Sequence, residues 1–224
     1  MKLNKRLITL GLVILIFSIT LKFIWTGLSK IKVDDFHKAA VIFMIDSSAS
    51  NQNALTEQKK TLKHICSLLD PDDEIKILRV SQDAYLIYEG SPMNGSTIQK
   101  TLDEFTKFDS KDYGTAYGEA MKKAFSHALT MKKEGYVPAL IVIGDLENEG
   151  SVDKQLNWNT LPKNVEEAKK YAPDLVMMFL YAHPSKLDLV KEKLSPVLGE
   201  TNLIISPEQN IDKSIRKFLS ALGR

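Results

Sequence analysis

A chain of 224 residues can hold one sizeable core and a short appendage. Charged residues at 26% and apolar residues at 44% describe a folded protein rather than a disordered one. A net charge of +2 with no dense Lys/Arg cluster argues against nucleic acid as a partner, and the single cysteine, Cys66, excludes a disulfide framework and a thiolate metal site.

The first segment stands apart in composition. Lys2, Lys5 and Arg6 precede Leu7 to Leu21, which carries no charge, and after Lys22 the apolar character resumes through Phe23, Ile24 and Trp25. Extended to Leu28, the stretch is long enough to span a bilayer core of about 30 Å at roughly 1.5 Å per residue. Lys22 would snorkel to the headgroups and Trp25 would sit in the interfacial belt. Residues 1–28 are therefore expected to be a single-pass membrane anchor. The alternative is a cleaved signal peptide, although no A-x-A site is present. Basic residues on both flanks nearly balance the positive-inside count, and the orientation adopted places the globular part outside the cytoplasm. Residues 29–38 form a short polar linker, and 39–224 form the domain.

Within the domain, apolar strands alternate with amphipathic helices. Ala39 to Ile45 is a continuous apolar run, as expected of a strand buried on both faces of a parallel sheet. Ala54 to Leu69 reads as a helix with Leu55, Leu62, Ile65, Cys66 and Leu69 on one stripe, ended by Asp70-Pro71-Asp72-Asp73. Cys66 falls on that stripe as a small buried hydrophobe. Glu74 to Ser81 and Ala84 to Glu89 are strands joined by Gln82-Asp83, short enough for a hairpin. After the turn Gly90 to Gly95, a helix runs from Ser96 to Phe105, opened by Ser96 or Thr97. Ala116 to Lys133 is a helix, Val137 to Ile143 a buried strand, and Glu147 to Asn159 a long polar loop. Pro162 to Tyr171 is helical, Leu175 to Tyr181 a strand, Leu187 to Leu198 a helix, Asn202 to Ser206 the last strand and Ile211 to Leu222 the last helix. The alternation predicts an α/β fold: a doubly wound, mostly parallel sheet of about six strands with one antiparallel edge strand and helices on both faces.

Oxygen donors collect where the strands should leave such a sheet. Asp46, Ser48 and Ser50 follow the first strand at every second position, and ligands of open α/β sheets bind at that carboxyl edge. Thr115 lies in a polar loop leading into a helix. Asp145 closes the strand 137–143, and it meets Asp46 if that strand lies beside the first. One by one these residues have plainer readings: Ser48, Ser50 and Thr115 as helix caps, Asp145 as a turn residue. Together they make an all-oxygen set suited to a hard cation.

Asp46-Ser47-Ser48-Ala49-Ser50, the segment Gly114-Thr115-Ala116-Tyr117-Gly118-Glu119-Ala120, and Asp145 resemble the metal-ion-dependent adhesion site of the von Willebrand factor A domain family. The family's motif is D-x-S-x-S after the first strand, a Thr in a later loop and an Asp after the fourth strand. The resemblance runs from Ala39 to the end of the chain, in motif order and strand order, and does not cover the membrane segment. It departs at the final Asp, where the family usually has T-D-G and this chain has Gly144-Asp145-Leu146. The resemblance implies Asp46, Ser48, Ser50, Thr115 and Asp145 around Mg²⁺ or Mn²⁺, in preference to Ca²⁺, some carboxylates acting through water. Glu147 and Glu149 are further candidates for a water-mediated contact. A partner protein's Asp or Glu would complete the shell, with loops 109–114 and 147–159 supplying specificity.

Other chemistries lack their residues. No G-x-G-x-x-G follows the first strand and no P-loop lysine exists. His37, His64, His127 and His183 are scattered. No G-x-S-x-G elbow supports a serine hydrolase. A phosphohydrolase using Asp46 as nucleophile is the runner-up, but Ser48 stands where its second carboxylate belongs. The expectation is thus a bacterial-type, membrane-tethered, non-enzymatic binding module, with a metal-free scaffold as a third reading.

Overall fold

At the centre of the computed structural model lies β1 (Ala39–Asp46), with all of its residues buried. The structure describes residues 38–107, 114–206 and 210–224. The expected anchor, 1–28, and nearly all of the linker lie outside the described residues. Among those described, no helix is long and apolar enough to cross a membrane.

Around β1 the sheet is six strands in the order β3-β2-β1-β4-β5-β6. These are β2 (Glu74–Val80), β3 (Ala84–Gly90), β4 (Val137–Ile143), β5 (Val176–Leu180) and β6 (Leu203–Ser206). All neighbours are parallel except β2 and β3, the hairpin expected at Gln82-Asp83, so β3 is the antiparallel edge. The register levels the carboxyl ends: Asp46 lies opposite Val80, Ile45 opposite Ile143, Ile143 opposite Leu180 and Leu180 opposite Ser206. The chain turns from β1 toward β2 on one side and returns to β4 on the other. The crevice between β1 and β4 is therefore the point where the strand order reverses, the place such sheets reserve for ligands.

Helices α1 (Leu55–Ser67), α2 (Gly95–Phe105) and α6 (Ile211–Ala221) cover one face; α3 (Tyr117–Lys133), α4 (Leu161–Tyr171) and α5 (Pro184–Asn202) cover the other. Alternate residues of β1 feed the two cores. Val41, Phe43 and Ile45 pack with Leu62, Ile65 and Phe218, while Ile42 and Met44 pack with Ala124, Val165 and Val190. Burial on both sides explains why the strand reads as an unbroken apolar run. Cys66 is buried as expected, and burial pushes its thiol up to about 12.

Several boundaries differ from the sequence reading. Helix α5 starts at Pro184, three residues before the expected Leu187, because Pro fits the first turn, where its missing N–H would have no partner. It also runs on to Asn202, broken at Gly199, whose φ of 74° is left-handed. Helix α2 opens at Gly95 behind Asn94, with no side-chain cap, so neither Ser96 nor Thr97 plays the expected role. The polar loop 147–159 holds a single 3₁₀ turn, Val152–Lys154.

Candidate functional site

Four of the candidate residues, Asp46, Ser48, Ser50 and Asp145, meet at the crevice between β1 and β4. Asp46, the last residue of β1, is fully buried, as is Ser48; Ser50 is exposed and Asp145 half-buried. Ser48 N–H donates to Asp46 Oδ1 at 2.8 Å, folding the chain back over the carboxylate. The Ser48 and Ser50 hydroxyls lie 3.1 Å apart, and Ser50 donates to Asp145 Oδ2 at 3.0 Å. One polar string thus runs from β1 to the residue beyond β4, across 95 positions of sequence at its last step. Asp145 Oδ1 also accepts Glu147 N–H at 2.8 Å, the turn role foreseen for it alone.

Thr115 belongs to the segment that enters α3. Its N–H donates to Glu149 O at 2.9 Å, and Ala116 N–H donates to Ser81 O at 2.7 Å, fixing the segment against the loop after β4 and the end of β2. Its own hydroxyl is buried and has no hydrogen-bond partner among the described residues. An unpaired buried hydroxyl costs roughly 1–3 kcal/mol.

The helix-cap readings of the hydroxyls fail. Helix α1 is preceded by Ala54 and α3 by Ala116, neither with a side-chain cap bond, so Ser48, Ser50 and Thr115 do not cap them. Between Ser48 and Leu55 the chain descends through successive backbone turns instead.

Three residues outside the sequence-derived set support this edge. Asn51 donates to the Asp46 carbonyl at 2.7 Å and pairs with Gln58 by reciprocal amide bonds of 2.6 and 2.7 Å, all buried. Tyr117, fully buried, donates to Asp46 Oδ2 at 2.8 Å, and its oxygen accepts Leu146 N–H at 3.3 Å. In sequence, Asn51 lies between the first motif and the first helix, and Tyr117 stands only as a member of the segment Gly114 to Ala120. Only the polar atom at the tip of each could have hinted otherwise.

Gly144-Asp145-Leu146 also has a structural account. A Cβ at Gly144 would fall 2.2 Å from Tyr117 Oη and 2.5 Å from Asp46 Cβ, so only glycine lets β4 end this close to β1. Leu146 takes a φ of 62°, a conformation that costs a residue with a side chain of order 1–3 kcal/mol. Its side chain is only 1% exposed, and that burial offsets the strain.

The electrostatics are those of a carboxylate short of a counter-charge. Burial pushes Asp46 up to about 7; Asp145 adds to the rise, and the Ser48 and Tyr117 bonds oppose it. Burial, with the charges of Asp46 and Asp145, also lifts the Tyr117 phenol well above its ordinary range, so it stays a donor. Glu147 is paired with Lys186 at 3.1 Å. The donors here are carboxylate and hydroxyl oxygens, and the Thr115 hydroxyl, two residues before the Tyr117 that binds the buried Asp46, has no partner among the described residues. That set fits a hard divalent cation.

Residues 41–148 match the model of the von Willebrand factor type A domain. The fold is that of a von Willebrand factor type A domain. Solved structures agree on the fold at low identity. BatB from Bacteroides thetaiotaomicron is 17% identical with a TM-score of 0.59, over 83% of this chain and 100% of that one. Manganese-loaded TRAP protein from Plasmodium vivax is 10% identical with a TM-score of 0.60, over 84% and 74%. Proximal thread matrix protein 1 from the mussel byssus, with a zinc-occupied adhesion-site motif, is 9% identical with a TM-score of 0.56, over 83% and 48%. This von Willebrand factor A-like chain spans about half the length of the mussel protein. No curated protein matches it in sequence.

Proposed function

We propose that this von Willebrand factor A-like domain binds a partner protein through a divalent cation, Mg²⁺ or Mn²⁺, held by Asp46, Ser48, Ser50, Thr115 and Asp145. A bound cation of this kind supplies a hard acceptor for an anionic oxygen, here an Asp or Glu carboxylate of the partner. The observation that carries the reading is the buried Thr115 hydroxyl, unpartnered among the described residues, on the same edge as the Asp46–Ser48–Ser50–Asp145 string. The manganese in the Plasmodium protein and the zinc in the mussel protein support it by analogy of fold.

The chain's own residues divide the work. Buried Asp46 supplies the charge, and the neutral hydroxyls add donors without repelling an anionic partner. The loop 147–159 borders the site as a pinned surface. Asn148 bridges both polar groups of the Leu156 backbone at 3.0 Å, and Lys154 binds Asp83. Residues 1–28 are the membrane anchor in this reading, with the domain outside the cytoplasm. The site lies at the carboxyl end of β1, the end opposite Ala39. Hydrolysis through Asp46 is the weaker reading, because the residue two positions on, Ser48, cannot carry a proton as a second carboxylate would.

The test is capture of membrane proteins by the full chain with Mg²⁺, repeated after chelation and with Asp46→Ala. A partner held only by the wild type with metal supports the reading. Melting curves unmoved by saturating Mg²⁺ and Mn²⁺ would overturn it in favour of a metal-free scaffold.

A further inference from the structure

One side chain outside the five proposed ligands is joined to all three stretches of chain that carry them. Tyr117 opens α3 two residues after Thr115. Its hydroxyl donates to Asp46 Oδ2 at 2.8 Å and accepts the N–H of Leu146, the residue after Asp145, at 3.3 Å. The ring is 0% exposed, so water does not compete for either bond. Ser48 N–H holds the other oxygen of Asp46, and the carboxylate is gripped from both sides. The room for the phenol comes from Gly144, where a side chain would overlap it.

We infer that Tyr117 is a positioning residue of the metal centre: its hydroxyl locks the Asp46, Thr115 and Asp145 segments into one arrangement before an ion arrives, and so sets the cation affinity. The inference rests on the metal-binding reading above. Its physical basis is that groups holding a metal ligand in place cost about 10- to 100-fold in affinity when removed, even though they never touch the ion. Ring and hydroxyl separate cleanly here. The ring packs in the core with Met44, Leu146 and Leu156, whereas the oxygen alone makes the cross-link. Tyr117→Phe keeps the first and deletes the second.

The experiment is a calorimetric Mn²⁺ titration of the full chain in detergent, wild type against Tyr117→Phe, with the metal-free melting temperature measured alongside. The expected result is a dissociation constant raised at least tenfold while the metal-free variant still unfolds cooperatively. Equal affinities in the two proteins would overturn the inference and leave the metal reading standing; no Mn²⁺ binding by the wild type would overturn both. Should Tyr117→Phe not fold, hydrogen exchange at the Leu146 amide of the metal-free wild type decides. Slow exchange supports a site locked in advance, and exchange at the rate of an open loop refutes it.

Discussion

Gly118→Ala sets two physical effects against each other. Gly118 is the second residue of α3, and glycine in a helix costs about 1 kcal/mol relative to alanine. Judged by propensity alone, the substitution stabilises. In the folded chain, however, a Cβ at Gly118 would lie 2.2 Å from the Gln155 carbonyl oxygen, 2.7 Å from its carbon and 2.9 Å from the Lys154 oxygen. These are backbone atoms and cannot rotate away, so the loop after β4 must lift. Overpacking of this kind costs roughly 1–3 kcal/mol, and the loop's buried Leu156 would lose part of the ~2 kcal/mol that its burial contributes. The steric effect wins, with a net loss of about 1–3 kcal/mol. The same loop holds the Thr115 N–H through Glu149 O, so its displacement should also loosen the segment that carries Thr115. Urea unfolding of the full chain reads the stability, and limited proteolysis within residues 147–159 reads the loop. A variant more stable than wild type by about 1 kcal/mol, with the loop still protected, would refute the reasoning.

Two further substitutions probe the site. Thr115→Val keeps the shape and removes the orphaned hydroxyl; metal-free stability should hold or rise by about 1 kcal/mol, whereas the gain of about 2.7 kcal/mol expected for wild type at a hundredfold excess of Mg²⁺ over its dissociation constant should vanish. Thermal melts with and without Mg²⁺ check both halves, and a variant that still responds to metal removes Thr115 from the ligand set. For Asp46, the folded value of about 7 lies above its ordinary 3.8, so its contribution to stability is fully present below the lower value and is lost as pH rises through the upper. Without metal, the wild type should lose on the order of 2–3 kcal/mol from this residue between about pH 5 and 8, and Asp46→Asn should not. Urea midpoints across that range that shift equally in both proteins would count against a buried, under-compensated Asp46.

The sequence by itself determined the order of strands and helices and the antiparallel hairpin at Gln82-Asp83, and it singled out Asp46, Ser48, Ser50, Thr115 and Asp145 as candidate ligands. Each of these is local. An unbroken apolar run specifies a doubly buried strand, and polar residues at its end mark the sheet's edge. Tertiary structure alone decided that β4 lies beside β1, bringing Asp145 to Ser50, and that none of the three hydroxyls caps a helix. It also decided the meaning of Tyr117, which in sequence is only one member of the segment Gly114 to Ala120. The partner of its hydroxyl is 71 residues away, and that contact exists only because glycine at 144 lets two strand ends approach. Periodicity reports which side of an element is buried. What a buried polar atom meets there depends on register between distant strands, which no local pattern encodes.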